Sequence, residues 1–539
     1  MTTPDVLVVG SGPSAVCAAR VCVDRGLDVH MLDVGHDDTT YRPIVPDQPF
    51  SVIRRTDPAQ HRYFLGDRLE GLPEGSVRVG AQLTPPRQFI VEKTDEQLPY
   101  ESRDFFPMQS LALGGLGAGW GAQTLTYSDE ELRRAGLPPD DLRRHYPRVV
   151  EVVGVSAATD DDIAPDTLEG IGSPQPPLDL DSGATRLLEA YRRIAPRLHA
   201  SGFRMGRTPL AVLSRDLADR RANPYHDMDF WSESRRSIFR PRYLVESLRS
   251  EPGFRYTPDR LVTRFESAEG GAVRVTAWNV RTGSWERFEA HRLFLGAGAI
   301  NSARIVLRSA KSPRAVPILC NRYAYVPTVQ WRMLGRAADD RRHSLSQLCA
   351  VWDPQRCCDS AITCHFYGYR SLLLFKLVKE MPLPPWAGLR VARLLVNSLM
   401  IVGIHHPDAA EGEKSLRLVS DAPPTGKLAI TYEDTPERRS AQDRMERRLL
   451  KILRRLGCLP TCRIDPGKAS SIHYAGTLPV VPPEGGDGWT RIDGRLVDFP
   501  NVFVGDSSAW RFLPSKGPTL TIMANAMRVA HALADDLAR

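Results

Sequence analysis

Two groups of residues in this 539-residue chain have the types and spacing to do chemistry, and they lie near its opposite ends. The first is Gly10-x-Gly12-x-x-Ala15, with Asp33 about 20 residues further on. Gly10 suits a tight turn, Gly12 lets backbone approach a pyrophosphate, and Ala15 lets a helix pack closely on a strand. The helix that follows such a turn offers free N–H groups and a positive dipole to phosphates, and the acid is placed to accept ribose hydroxyls. These are the parts of a cradle for an ADP moiety. The second group is Ser471-Ile-His-Tyr-Ala-Gly-Thr477, a short polar loop centred on His473. A neutral imidazole with a pKa near working pH suits removal of a proton from a hydroxyl.

The elements around these groups follow from pattern. Val6 to Val9 is a short apolar run of the length of a buried parallel strand, and Val29 to Leu32 is another. Between them a helix-forming run reaches Arg25 and stops at Gly26. Residues 34 to about 105 are rich in proline and predict no regular element. Leu113-Gly-Gly-Leu-Gly-Ala-Gly-Trp-Gly121 holds five glycines in eight residues, which lets backbone lie flat against something large. Helices are expected from Ser128, over Leu142 to Val153, over Leu187 to Leu198 and over Ser237 to Ser250. From Phe254 the pattern changes to period two, predicting a small antiparallel sheet over 261–290. Arg292-Leu-Phe-Leu then runs into Gly296-Ala-Gly298 and a helix, a second junction of the phosphate-cradle kind. Thr435-Pro-Glu starts a helix with Met445, Leu449, Ile452, Leu453 and Leu456 on one face. Asn501-Val-Phe-Val-Gly-Asp506 reads as a strand ending in an acid, and Pro518-Thr519-Leu520 opens a final helix reaching about Leu537.

Composition bounds the function. Hydrophobic content of 42% with 25% charge is that of an ordinary globular protein, and the length favours two intimately joined domains. The net charge of +7 is diluted by 64 acidic residues, without long basic blocks, so nucleic acid is not an expected partner. The nine cysteines form no C-x-x-C pair, which predicts free thiols and no zinc site. The first strand starts five residues from Met1, leaving no room for a signal peptide, and the cytoplasm is the expected compartment. The most apolar stretch, Trp386 to Ile404, carries Arg390, Arg393 and Asn397 at helical spacing, so it predicts a core or pocket-lining helix rather than a membrane span. A peripheral membrane or lipid contact is the other reading of residues 386–404.

With these pieces the chain resembles the glucose–methanol–choline (GMC) family of flavoprotein oxidoreductases over nearly its whole length. Five blocks carry the likeness in order: Gly-Ser-Gly-Pro-Ser-Ala15 with Asp33, the Gly114-Gly115 loop, Gly296-Ala-Gly-Ala-Ile-Asn-Ser302, the His473 loop, and Val502-Phe-Val-Gly-Asp506 through Pro518-Thr-Leu-Thr-Ile-Met-Ala-Asn525. The resemblance implies an α/β fold. A Rossmann-like FAD-binding domain (1–155, 240–309 and 465–539) would be joined to an α+β substrate domain with an antiparallel sheet (156–239 and 310–464). It places Gly10, Gly12 and Ala15 at the pyrophosphate, Asp33 at the adenosine ribose, Val262 at the adenine, Gly298 at the second turn, Gly114 and Gly115 along the flavin, and Asp506 at the ribityl phosphate. His473 matches the family's active-site histidine, and the helix start at Pro518, Thr519 and Leu520 would face the negative end of the reduced ring.

Two departures shape the expectation. The position before Pro-Thr-Leu-Thr, where the family usually carries an asparagine or histidine, is Gly517, preceded by Lys516; His473 is expected to act alone, with water or with Lys516. The Gly114 loop resembles that of pyranose oxidases around their tryptophan, but Gly119 stands where their flavin-tethering histidine would be, which implies noncovalent FAD. Trp120 is either a platform near the flavin or plain core. The resulting expectation is oxidation of a sugar, aminosugar or glycoside hydroxyl, with oxygen or another electron acceptor. An apolar or lipid alcohol, or a flavin-binding protein without redox turnover, are the alternatives. His365, His405 and His406 lie in the second domain and could line the pocket, with ordinary packing or exposure the expectation for each.

Overall fold

The computed structural model describes residues 3–69, 85–311, 314–336, 342–368, 378, 382–483 and 485–539. Its centre is a five-stranded parallel sheet in the order Val502–Val504, Arg292–Leu295, Val6–Val9, Val29–Leu32, Phe254–Thr257. Apart from Arg292, the first four of these strands are buried throughout, as their apolar runs require in a sheet covered on both faces. Parallel strands end on the same edge, so Gly10, Asp33, Gly296 and Gly505-Asp506 all emerge together there. That edge is where open α/β sheets bind ligands. Helix Pro13–Asp24 packs against the closing helix Thr519–Leu537 in the main core, with Val16, Ala19, Met523, Ala526 and Met527 buried between them. Each large side chain buried there contributes about 1.5–3 kcal/mol, so the two chain ends are fastened to each other.

A three-stranded antiparallel sheet, Arg260–Ser267, Val273–Asn279 and Ser284–Ala290, flanks the parallel sheet where the alternation predicts it. Its pairing slips between Val262 and Arg264. A six-stranded antiparallel sheet forms the other half of the molecule, in the order Cys458–Pro460, Tyr323–Gln330, Leu399–His405, Ile362–Gly368, Leu348–Trp352, Phe203–Arg207. One of its faces carries Val326, Val402, Ile404, Cys364 and Phe366 and packs on helices Ser182–His199 and Pro436–Arg455. The alternate residues, Tyr323, Tyr325, Pro327, Ile401, His405 and Tyr367, face a cavity.

The stretch 386–404 departs from expectation. Helix Pro385–Leu395 ends and strand Leu399–His405 begins, because the β-rich run Leu-Met-Ile-Val-Gly-Ile finds partners on both sides of the sheet. The helix exposes Trp386, Leu389 and Leu394 instead of lining the pocket. Leu142 to Val153 is two helices, Pro139–Arg143 and Tyr146–Val153, the second carrying Pro147 in its first turn. The stretch 34–105 holds short helices at Phe50–Thr56 and His61–Leu65, packed on Met228 and Trp231, while its residues 70–84 lie outside the described ones. Among the described residues no helix is long and apolar enough to cross a membrane, and no group of His, Cys, Asp and Glu could hold a metal ion.

Candidate active site

A cavity of about 810 Å³ runs from the carboxyl edge of the parallel sheet to the polar face of the six-stranded sheet. At one end it is lined by Gly10, Gly12, Ser14, Asp33 and Val262, and at the other by Trp120, Gln123, His405, His473 and Gly517. Gly10 sits at φ +91°, and a Cβ there would come within 3.0 Å of the Gly296 carbonyl oxygen. Helix Pro13–Asp24 has no side-chain cap, so its first N–H groups are unclaimed beside the cavity. Asp33 accepts hydrogen bonds from the Ser11 hydroxyl and from Tyr256 Oη (3.2 Å), and burial lifts its carboxyl to about 7. Ser11 in turn accepts the Gly114 N–H (2.8 Å), which ties the glycine-rich loop onto the first turn. A Cβ at Gly115 would lie 3.4 Å from the Gly12 Cα, a close approach of two backbones.

The helix Thr519–Leu537 also starts without a side-chain cap, and Pro518, Thr519 and Ile522 line the cavity near Gly517. One cavity thus joins two unclaimed helix N-termini, both of which favour negative charge. This donor set, with a glycine turn that a Cβ would obstruct and an acid at the adjacent strand end, fits FAD. Gly10, Gly12 and the start of the first helix would hold its diphosphate. Asp33 would take the ribose, the Gly115 turn and Trp120 would lie along the ring system, and Thr519 would stand at the ring's far edge.

Several expected residues sit elsewhere. Ala15 does not line the cavity; it is fully buried, and a Cβ on Gly296 would meet it at 2.8 Å, so its work is close packing alone. Leu520 is buried in the main core. Gly114 contributes its N–H to Ser11 rather than a surface. Asp506 and Gly298, by contrast, both line the cavity as expected, and the Asp506 carboxylate accepts from the Gly298 N–H (3.0 Å), the Ser302 hydroxyl (2.6 Å) and the Ser508 N–H (2.9 Å), which ties it to the start of helix Ala299–Ser309. Lys516 turns away from the cavity into a buried ion pair with Glu131 (2.6 Å), the glutamate that also completes the capping box of helix Asp129–Ala135. It is not a partner for His473. Trp120 lines the cavity and donates through Nε1 to the Phe239 carbonyl (2.8 Å).

His473 lies where the cavity meets the six-stranded sheet. Ile472 before it sits at φ +62°, a left-handed conformation costly for a β-branched residue and one found at functional turns. The imidazole stacks on His405, with centroids 5.1 Å apart and planes at 20°, and His405 meets His365 edge-on at 5.6 Å. Burial pushes His473 down to about 4 and His365 to about 3, and lowers His405 as well, so the stack is neutral at physiological pH. His405 is therefore part of the site, contrary to the expectation of ordinary packing. His365 is packed behind it, and His406 points away to Glu446 (2.9 Å).

Sequence reasoning also missed Gln123, Tyr323, Tyr367 and Asn321. Gln123 Nε2 donates to Tyr367 Oη (2.7 Å), and a Cβ on Gly517 would lie 3.7 Å from Gln123 Oε1. The space left by the glycine faces this amide. The period-two alternation of Tyr323, Tyr325 and Pro327 with Ala324, Val326 and Thr328 was a readable sign of a half-buried strand; only the fold reveals that its outer residues line the cavity, with Tyr323 against His405.

No protein-family model matches the chain. It is similar over 99% of its length to C-glycoside 3-oxidases from Arthrobacter globiformis and Microbacterium trichothecenolyticum, each 23% identical, with 95% and 97% of those proteins covered. In fold it is similar to the crystal structure of pyridoxine 4-oxidase from Mesorbium loti (TM-score 0.58, 15% identity, 98% of both chains). It is likewise similar to an Aspergillus oryzae formate oxidase studied for FAD modification (TM-score 0.61, 10% identity, 99% of both chains). The order of its motifs resembles that of the GMC oxidoreductases, and its fold and its full-length likeness to these oxidases agree with that resemblance.

Proposed function

We propose that the protein is an FAD-dependent oxidoreductase that converts a hydroxyl of a sugar-like ring, in the manner of a glycoside, to a carbonyl. The observation that carries this reading is that a single cavity holds both the nucleotide cradle at Gly10 and the neutral His473 imidazole. Bound FAD supplies the hydride acceptor. His473 would take the hydroxyl proton: the O–H bond breaks, an N–H bond forms at the imidazole, and the electron pair left on oxygen forms the C=O bond as the carbon gives up its hydrogen as hydride. A neutral base positioned in this way contributes about 10²–10⁴-fold. Tyr323 and Tyr325 offer aromatic faces to a sugar ring, while Gln123 and Tyr367 offer an acceptor and a donor beside Gly517 for the reacting or neighbouring hydroxyl. We assign to Gln123 the place that a side chain at 517 would otherwise fill.

FAD is held noncovalently in this reading, because Gly119 has no side chain to bond the ring; acid precipitation releases all the flavin if so. The two C-glycoside 3-oxidases among the relatives favour a glycoside as substrate. Anaerobic mixing of the yellow protein with free sugars, aminosugars, O- and C-glycosides and long-chain alcohols tests it. Bleaching by a glycoside is expected; bleaching by long-chain alcohols alone would replace the sugar with a lipid. The nine cysteines are all free and seven are buried, which supports a reducing compartment, the cytoplasm.

One surface supports a further partner. Trp386, Leu389 and Leu394 are exposed beside Arg390 and Arg393, and the exposed Trp331 and Leu334 adjoin them, the Gly335 N–H donating to the Leu394 carbonyl (3.1 Å). Arg332 and Arg390 lie over the Trp331 and Trp386 rings. Indole rings among arginines suit the headgroup region of an anionic bilayer. Sedimentation with phosphatidylglycerol vesicles, abolished by Trp386→Ser with activity in solution unchanged, is the expected outcome.

A further inference from the structure

We infer that Asn321 is a positioning residue that holds His473 as its Nδ1–H tautomer and leaves the Nε2 lone pair to receive the substrate proton. The inference rests on the reading of His473 as the base, and it begins with register. Strand Leu319–Cys320 pairs antiparallel with Tyr474–Ala475, Leu319 opposite Ala475 and Cys320 opposite Tyr474. One step further along this ladder, Asn321 comes opposite His473. Their side chains meet at 2.9 Å, Asn321 Oδ1 to His473 Nδ1.

The direction of that hydrogen bond is fixed by the other end of the amide. Asn321 Nδ2 lies 2.8 Å from the His406 carbonyl and 2.9 Å from the Pro514 carbonyl, and a carbonyl only accepts. Turning the amide over would set its oxygen against two carbonyl oxygens in a site where Asn321 is 2% exposed, so Nδ2 stays there. Oδ1 is then the atom facing the imidazole, and an amide oxygen cannot donate. Nδ1 must carry the proton, and in a neutral ring Nε2 must not. Cys320 is itself anchored through its N–H to Asp408 Oδ2 (2.9 Å), which also accepts from Tyr432 Oη (2.7 Å). The groups facing His473 are neutral: His405 stacked on it, His365 behind that ring, Tyr323 beside His405, and Cys320 beside Ser471. An amide, which orients without adding charge, leaves the base neutral down to low pH. Asn321 also ties His473 to the chain just before Gly517, so the base and the start of the closing helix are positioned together.

The test is the side-chain ¹⁵N spectrum of histidine-labelled protein, with and without FAD, His473 assigned by His473→Gln. A single neutral tautomer protonated at Nδ1 is expected; a resonance protonated at Nε2 in the wild-type protein overturns the inference whether or not any variant folds. Asn321→Leu should mix the tautomers and lower kcat by about 10–10³-fold with KM within threefold, since a wrongly protonated ring has no lone pair to offer. Asn321→Asp places a carboxylate on Nδ1 and should move the acid limb of kcat/KM upward by at least one pH unit. A leucine variant with wild-type kcat and an unshifted aspartate variant would overturn the role of Asn321 while leaving His473 as the base. An active His473→Gln would instead remove the reading beneath it.

Discussion

At the Gly10 end the cavity wall is mostly backbone: a turn at φ +91° and an unclaimed helix N-terminus, with the Asp33 carboxylate at the next strand end, all within the 24 residues from Gly10 to Asp33. At the His473 end the wall is side chains, and Gln123, Tyr323, Tyr367, His405 and His473 come from five separate segments. A backbone site binds what every member of a nucleotide class shares. A side-chain site is free to change with the substrate, and the proposed stand-in of Gln123 for a side chain at 517 would be such a change within one cavity.

If the two ends are independent, each can be broken alone. The largest effect is expected from His473→Ala, which should lower kcat about 10²–10⁴-fold while FAD affinity, read by flavin fluorescence, stays within twofold. Weakened FAD binding in this variant would show that the ends are coupled. At the other end, Gly10→Ala forces a left-handed alanine against the Gly296 carbonyl. That conformation costs roughly 1–2 kcal/mol, so FAD should bind about 5–30-fold more weakly, with kcat of the saturated enzyme unchanged.

The same division explains what could be read from the chain itself. The central strands, Asp33 and the glycine turn were legible because period, turn chemistry and an acid at a fixed distance are local signals. His473 was legible through its motif. Asn321 and His405 were not, since what makes them part of the site is a strand register joining positions 152 and 68 residues away from His473 (473 − 321 and 473 − 405). Lys516 looked available because it adjoins Gly517; its ion pair with Glu131, 385 positions earlier, has no local trace. The Trp386 stretch read as one helix because a short apolar run has no period of its own once it enters a sheet.

Gln123 offers a sharper cut within the substrate end. Gln123→Ala should lower kcat/KM about 10–100-fold. Gly517→Asn alone should be harmful, since its side chain would crowd Gln123, whose Oε1 lies 3.7 Å from the Cβ position. Combined, the two substitutions exchange one amide for another in the same space, and the double variant should recover part of the loss. Additive losses would mean that Gln123 does not stand in for a side chain at 517.

The smallest expected effect separates the ends by pH. Burial lifts Asp33 to about 7, and the proposed contact with the FAD ribose would be made by its ionised form. Apoprotein affinity for FAD should therefore fall below pH 7, by less than about tenfold per unit, with proton release on binding. His473 titrates near 4, so kcat/KM of FAD-saturated enzyme should stay flat from pH 8 to 6 and decline only below that. Stability follows the same groups with opposite signs. The buried histidines bind protons more weakly folded than unfolded, so their contribution is lost as pH falls from 6.5 toward 4. Asp33, held above its unfolded value, destabilises the apoprotein as pH rises from 3.8 to 7, a loss that bound FAD should cancel. Thermal unfolding of apo- and FAD-loaded protein across pH 5 to 8 measures this. A gap that widens with pH is expected, and a constant gap would mean that Asp33 does not meet the nucleotide.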